Sequence, residues 1–148
     1  MRSRVARDGV LAIGFGSPLR GDDAMGPVAA RRLAERGFDA IAVHQLAPEL
    51  AERIAQARAV VFLDADARLA PGEVALRRLS VPKATAAPLD HHASPAGLLR
   101  LARIAFGAAP DAWLASMGGA AFELGDGLSG PAEQAVERIL ERIARAEF

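Results

Sequence analysis

Acidic side chains stand at two points of the sequence where an apolar run ends. Asp22 and Asp23 follow the run that begins at Val10, and Asp64 comes directly after the apolar residues 59–63. The carboxyl ends of parallel strands meet at one edge of a sheet, so Asp23 and Asp64 converge there if their strands are neighbours. Two carboxylates that close need a cation or a shared proton between them. The spacing therefore predicts a cation site at such an edge.

A second type of ligand occurs in the segment Asp90, His91 and His92, just before Ser94. Divalent transition metals favour neutral imidazole, and two carboxylates with one imidazole leave coordination positions open for a substrate. Asp23, Asp64 and one of the two adjacent histidines are therefore candidate ligands. The third histidine, His44, ends another apolar run and is predicted to be a polar residue at a strand end.

Each of these clusters also has a plainer interpretation. Asp22 or Asp23 could cap the helix that follows, and for Asp22 a capping role fits at least as well as a ligand role. Asp64 could begin a turn. His91 and His92 could be surface residues beside the start of a helix.

The segment around the first acidic pair is rich in glycine, with Gly14, Gly16, Gly21 and Gly26. It does not match a dinucleotide-binding loop, because Leu19 holds the place of the third glycine, and no Gly-Lys-Ser/Thr follows as in a phosphate loop. Two adjacent aspartates would also repel a phosphate. The glycines instead predict close backbone approach and positive φ angles.

Composition excludes several classes of function. The 18 basic residues balance the 18 acidic ones, which removes the electrostatic basis for binding nucleic acid or an anionic membrane. There is no cysteine, so thiolate metal sites and a Cys nucleophile are absent. No apolar run is long enough to insert into a membrane, and a cytoplasmic protein is expected. A serine hydrolase is disfavoured because the Gly-x-Ser-x-Gly motif is absent, and Ser94 before Pro95 is predicted to cap a helix.

Short apolar runs alternate with helical patterns along the 148 residues, which is typical of a single α/β domain spanning residues 1–148. Strands are predicted at residues 10–13, 40–43, 59–63, 73–79 and 112–117. Helices are predicted between about residue 24 and Gly37, at residues 48–57, at residues 94–107 and from about residue 130. The strand at 73–79 is expected to lie at an edge or in a mixed arrangement, and residues 80–93 form the longest predicted loop.

Taken in order, the motifs of the chain resemble those of the nickel–iron hydrogenase maturation endopeptidases. The resemblance covers nearly the whole chain. It rests on the glycine-rich residues 14–26, residues 45–51 after the second strand, residues 60–65, residues 91–95 with Leu98 and Leu99, and residues 122–129. Ser17 stands where that family usually has Asn. Both side chains bond to backbone in turns, so we expect the loop to keep its form.

The resemblance implies a fold and an activity. The fold is a three-layer α/β arrangement, with a twisted, mostly parallel sheet of about five strands and helices on both faces. The activity is removal of the C-terminal peptide from a hydrogenase large-subunit precursor after nickel insertion. The metal-contacting residues become Asp23, Asp64 and a histidine. The spacing to Pro95 favours His91 over His92, and a shift of one residue would make it His92. The nickel then belongs to the precursor and is not a resident cofactor. A nickel-binding maturation chaperone without peptidase activity and a Rossmann-like nucleotide-binding protein remain as alternatives.

Overall fold

The computed structural model describes residues 8–81, 94–125 and 127–148. Within these residues the chain forms five strands and four helices, together with a short 3-10 turn, Gly21–Ala24. The strands are β1 (Val10–Phe15), β2 (Asp39–Val43), β3 (Ala59–Ala65), β4 (Val74–Leu79) and β5 (Asp111–Met117). The helices are α1 (Met25–Glu35), α2 (Leu50–Gln56), α3 (Pro95–Phe106) and α4 (Gly130–Arg145).

The strands form one sheet in the order β2-β1-β3-β5-β4. Three of the four pairings are parallel, and β4 runs antiparallel to β5 at one edge, as predicted for residues 73–79. The chain passes from β1 outward to β2 and then returns to β3 on the other side of β1. In open α/β sheets, ligands bind outside the carboxyl ends of strands at such a reversal. The topology therefore marks the carboxyl ends of β1 and β3 as a binding crevice.

Helices cover both faces of the sheet and make a three-layer structure. One face packs against α1 and α4, where Leu33 and Ile139 are buried, and the other against α2 and α3, where Ile54 and Leu99 are buried. Because β1 and β3 are covered on both faces, they are apolar at successive positions instead of alternating with polar residues. The expected α/β fold with a mostly parallel sheet of five strands is confirmed.

Two helices begin at serine caps. The Oγ of Ser94 accepts a 3.0 Å hydrogen bond from the Gly97 N–H at the start of α3, which confirms the predicted cap. The Oγ of Ser129 accepts a 3.3 Å bond from the Ala132 N–H at the start of α4. Each serine satisfies a backbone N–H that the helix itself leaves without a partner.

Helix α1 begins in a different way. Its N-cap is Ala24, and within the described residues it has no side-chain cap, because the 3-10 turn runs directly into the helix. The Met25 N–H donates to the carbonyl oxygen of Asp22. The interpretation of Asp22 or Asp23 as a cap of this helix is therefore wrong.

The long loop predicted at residues 80–93 is described only as far as Val81. His91 and His92 lie outside the described residues. Of the helices that are described, none has the length and apolar character needed to cross a membrane.

Candidate functional site

Two glycines let the start of α1 lie directly on the ends of two strands. A Cβ on Gly14 would come 2.0 Å from the carbonyl oxygen of Gly26. A Cβ on Gly26 would come 2.5 Å from the carbonyl oxygens of both Phe15 and Leu63. No side chain fits at these positions, so the predicted close backbone approach is confirmed. The contacts place the turn before α1 at the carboxyl ends of β1 and β3.

Asp23 lies in this 3-10 turn and is half-buried. Its Oδ2 accepts a 2.7 Å hydrogen bond from the backbone N–H of Ser17. The turn passes so close to the preceding loop that a Cβ on Gly16, whose φ is +149°, would lie 2.0 Å from the Asp23 carbonyl oxygen. One carboxylate oxygen is thus held by the backbone, and Oδ1 is the oxygen that could bind a ligand.

Ser17 stabilises the glycine-rich loop by hydrogen bonds to nearby backbone. Its Oγ accepts a 3.3 Å bond from the Leu19 N–H, and its carbonyl oxygen accepts a 3.4 Å bond from the Arg20 N–H. These are the contacts of a hydroxyl-stabilised turn. Ser17 thus makes the backbone hydrogen bonds that the sequence analysis expects of a residue in this turn.

Asp64 is the second-last residue of β3 and is half-buried at the same edge of the sheet. Burial, together with the negative charges of Asp23 and Asp66, raises the pKa of Asp64 to about 7, against the opposing hydrogen bond from the Ala65 N–H. The electrostatic interaction shows that the fold brings these two carboxylates together. The strands β1 and β3 are parallel neighbours, which is the condition under which the sequence predicts that the two carboxylates converge.

The turn after β3 begins at Asp66 and not at Asp64. The Oδ1 of Asp66 accepts bonds from the Arg68 N–H at 2.9 Å and from its Nε at 3.1 Å, and the Leu69 N–H donates to the Asp66 carbonyl oxygen. The hydrogen bond from the Arg68 side chain lowers the pKa of Asp66. The interpretation of Asp64 as a turn residue is therefore wrong, and Asp66 has its own structural role.

Asp22 is fully buried, and its side chain does not cap α1. Its carboxylate accepts hydrogen bonds from the loop that follows β5 and leads into α4, including both the N–H and the Oγ–H of Ser129. Burial acts to raise its pKa, but the bonds from Ser129, Ala121 and Ala120 outweigh burial and hold the pKa below its usual value. Sequence reasoning missed this pairing, because nothing local marks Ser129 as a partner 107 positions away.

The third candidate ligand cannot be placed from the described residues, since His91 and His92 lie outside them. Within residues 8–81, 94–125 and 127–148, no three His, Asp or Glu side chains are grouped closely enough to hold a metal. His44 is exposed just after β2, as predicted for a strand-end polar residue, and its carbonyl oxygen accepts a 3.1 Å bond from the Gly16 N–H. The described site is therefore the carboxylate pair.

This pair can do two things chemically. Two carboxylates at close range bind a divalent cation, which removes their mutual repulsion. Without a cation, a carboxyl group with a pKa near 7 exchanges a proton at neutral pH, as a general acid or base must. Anionic phosphate is disfavoured beside the same charges.

Several solved structures share this fold. The NiFe hydrogenase maturation protease HybD from Thermococcus kodakarensis is 24% identical with a TM-score of 0.67, over 94% of this chain and 99% of its own. The maturation protease HycI from T. kodakarensis KOD1 is 24% identical with a TM-score of 0.69, over 91% of this chain and 89% of its own. The hydrogenase maturating endopeptidase HybD from E. coli is also 24% identical, with a TM-score of 0.64, over 90% of this chain and 88% of its own.

No family model matches the sequence, and no curated protein matches it significantly. At these identities the structural likeness establishes the fold. It extends over nearly the full length of each protein, so the chain has the same α/β architecture as these solved structures.

Proposed function

We propose that this chain is a hydrogenase maturation endopeptidase, which removes the C-terminal peptide of a nickel–iron hydrogenase large-subunit precursor in the cytoplasm after nickel insertion. The observation that carries the proposal is the convergence of Asp23 and Asp64 at the carboxyl ends of β1 and β3. The fold supports it, because solved structures with this fold are named as maturation proteases. The order of motifs along the sequence supports it independently.

In this proposal the nickel belongs to the substrate. Asp23, Asp64 and His91 contact the nickel of the loaded precursor, with His92 as the alternative to His91. Carboxylate and imidazole donors suit such an ion, and its charge offsets the repulsion between the two carboxylates. An unloaded precursor lacks that charge, so it binds more weakly and is not cleaved. Nickel loading thereby becomes the condition for processing.

The proposed nucleophile is water, because the chain has no cysteine and no serine nucleophile motif. The water oxygen adds to the carbonyl carbon of the scissile peptide bond while a carboxylate of the pair accepts a proton. The carbon–nitrogen bond then breaks, and that proton passes to the departing nitrogen. The products are a new C-terminal carboxylate on the large subunit and a free amino group on the released peptide.

The test uses purified protein and nickel-loaded precursor, with mass spectrometry to detect the shortened large subunit. Asp23→Ala, Asp64→Ala and His91→Ala are each expected to slow processing at least about a hundredfold, the scale of a lost acid–base or ligand group. Asp66→Ala is the matched control, since its carboxylate is occupied by Arg68, and it is expected to retain processing.

The same experiment separates the alternatives. Full processing by the Asp23 and Asp64 variants would end the proposal. Tight binding of the loaded precursor without any loss of mass would indicate a nickel-binding chaperone. If His92→Ala and not His91→Ala abolishes processing, His92 is the third ligand.

A further inference from the structure

Asp22 holds the largest set of hydrogen bonds in the turn that carries Asp23, and the proposed chemistry does not use it. We propose that Asp22 is a positioning residue: it joins the turn to the loop after β5, and thereby holds the neighbouring Asp23 against Ser17 and towards Asp64. The significance of the Asp23–Asp64 pair rests on the proposed function, whereas the positioning itself is a property of the fold.

The contacts of Asp22 are short and are made by charged oxygens. Its Oδ2 accepts bonds from the Ala120 N–H at 2.7 Å, the Ala121 N–H at 2.8 Å and the Ser129 Oγ–H at 2.6 Å. Its Oδ1 accepts a 2.8 Å bond from the Ser129 N–H, and its own N–H donates to the Ala121 carbonyl oxygen at 2.7 Å. Bonds to an ionised acceptor are stronger than neutral ones, so this side chain fixes the turn firmly to the loop.

The surrounding backbone fits this side chain closely. A Cβ on Gly119 would lie 2.6 Å from the Asp22 Cβ and 2.9 Å from its Oδ2. Gly21 has φ +53°, and a Cβ there would lie 2.4 Å from the Ala121 carbonyl oxygen. Glycines on both segments therefore let the loop close over the carboxylate. The loop and the turn meet again where the Gly21 N–H donates to the Gly125 carbonyl oxygen at 3.0 Å.

The geometry of the turn connects Asp22 to Asp23. Successive side chains on a 3-10 turn diverge by about 120°, because the turn has about three residues per revolution. The Asp22 side chain points into the loop after β5. The Asp23 side chain therefore points towards the glycine-rich loop, where its Oδ2 accepts the hydrogen bond from the Ser17 N–H. Rotation of the turn would withdraw Asp23 from Ser17, and the attachment of Asp22 opposes that rotation.

A purely stabilising role for Asp22 makes a different prediction. If Asp22 only stabilises the fold, its replacement lowers the free energy of unfolding, but Asp23 keeps its position in the molecules that remain folded. Ser129→Ala tests this, because it removes one donor to Asp22 together with the cap of α4. Ser94→Ala is the matched control: it also removes a serine cap before a proline, at α3. The caps are expected to cost similar stability.

The experiment measures hydrogen-exchange protection of the Ser17 amide by NMR and the affinity for Cd²⁺ alone by calorimetry, at a temperature where each variant is folded. Asp22→Asn and Ser129→Ala are expected to reduce the protection of Ser17 about tenfold and to weaken Cd²⁺ binding about tenfold, the scale for a partner that orients a ligand. Ser94→Ala is expected to leave the protection of Ser17 unchanged. If Asp22→Asn fails to fold, Ser129→Ala decides.

Unchanged protection of Ser17 in Ser129→Ala, or an equal loss in Ser94→Ala, overturns the positioning role. So does unchanged Cd²⁺ affinity in Ser129→Ala when the wild type binds Cd²⁺. The Ser17 measurement needs neither metal nor precursor. If the wild-type protein neither binds Cd²⁺ nor cleaves the precursor, the proposed function fails, and Ser17 still decides the role of Asp22.

Discussion

Asp64 is a carboxyl group whose charged form the fold disfavours. Burial and the charge of Asp23 raise its pKa to about 7, whereas a free aspartate titrates near pH 4. Between these two values the folded protein binds a proton that the unfolded chain releases. Stability therefore falls as the pH rises through this range, and above about pH 7 the full cost of the ionised group is present. A cation bound by the pair would offset that cost.

Asp64→Asn is therefore expected to stabilise the metal-free protein while removing a proposed metal contact. At pH 8 the substitution should raise the free energy of unfolding, by at most about 4 kcal/mol from the size of the pKa change. The gain should shrink as the pH falls from 7 and should be small at pH 4, where the wild-type carboxyl is protonated in the folded state and about half protonated in the unfolded chain. Denaturant unfolding in the presence of a chelator at pH 8, 6 and 4 measures it.

Asp66→Asn is the comparison for this prediction. Its carboxylate accepts hydrogen bonds from Arg68 that favour the charged form, so its removal should give much less stabilisation than Asp64→Asn, limited to relief of its weak repulsion of Asp64. A loss of stability in Asp64→Asn at pH 8 would contradict the assigned electrostatics.

The sequence allows Asp23 and Asp64 to be predicted as a pair, because each follows an apolar run whose character marks a buried parallel strand. It does not distinguish Asp22 from Asp23. The distinction depends on Ala120, Ala121 and Ser129, which reach Asp22 only through the tertiary fold. A long-range hydrogen bond leaves no periodic signal in one sequence.

The loops at this edge of the sheet are shaped by backbone contacts. Gly14 and Gly26 bring α1 onto the strand ends, and Gly119 brings the loop after β5 onto Asp22. The sequence predicted close approach for the glycine-rich segment, where four glycines are clustered. It did not predict the role of Gly119, because a glycine beside another glycine after a strand is equally typical of a simple break.

Gly119→Ala is expected to disturb the site through Asp22. The added methyl would lie 2.9 Å from the Asp22 Oδ2, so the loop or the carboxylate must move. Cd²⁺ affinity should fall about tenfold, as for other changes that misorient a ligand. Gly130→Ala is the control, because a Cβ there meets no atom within 4 Å. Calorimetry on both variants tests the prediction, and equal affinities in the two would contradict it.

The helices show where sequence patterns reach their limit. The ends of α3 follow from Ser94, Pro95 and Gly107, which are local signals. An Asp cap at the start of α1 was one interpretation of the sequence, but the 3-10 turn runs directly into the helix and takes the place of a side-chain cap. That turn depends on contacts with the loop after β5, and these contacts cannot be read from the sequence of α1.

In the whole molecule, the hydrophobic cores and the candidate site lie in different places. The two cores lie on opposite faces of the sheet, and the carboxylate pair lies at its edge, where β1 and β3 end. The resemblance implied a mostly parallel sheet of about five strands, and local patterns gave the strands themselves, but neither gave the strand order. Strand order depends on which chain reversals pack best, which is a property of the complete fold.

This separation predicts opposite effects for a core variant and a site variant. Ile54 in α2 is fully buried, so Ile54→Ala should create a cavity in the core and lower the free energy of unfolding by about 2–5 kcal/mol. Because α2 makes none of the described contacts of Asp23, Cd²⁺ affinity below the melting temperature should change less than about twofold. Asp23→Ala should change stability by less than about 1 kcal/mol and abolish Cd²⁺ binding. Unfolding curves and calorimetry on the same samples test both. A folded Ile54→Ala that has lost its affinity would show that the core and the carboxylate pair are coupled, which the edge position of the pair argues against.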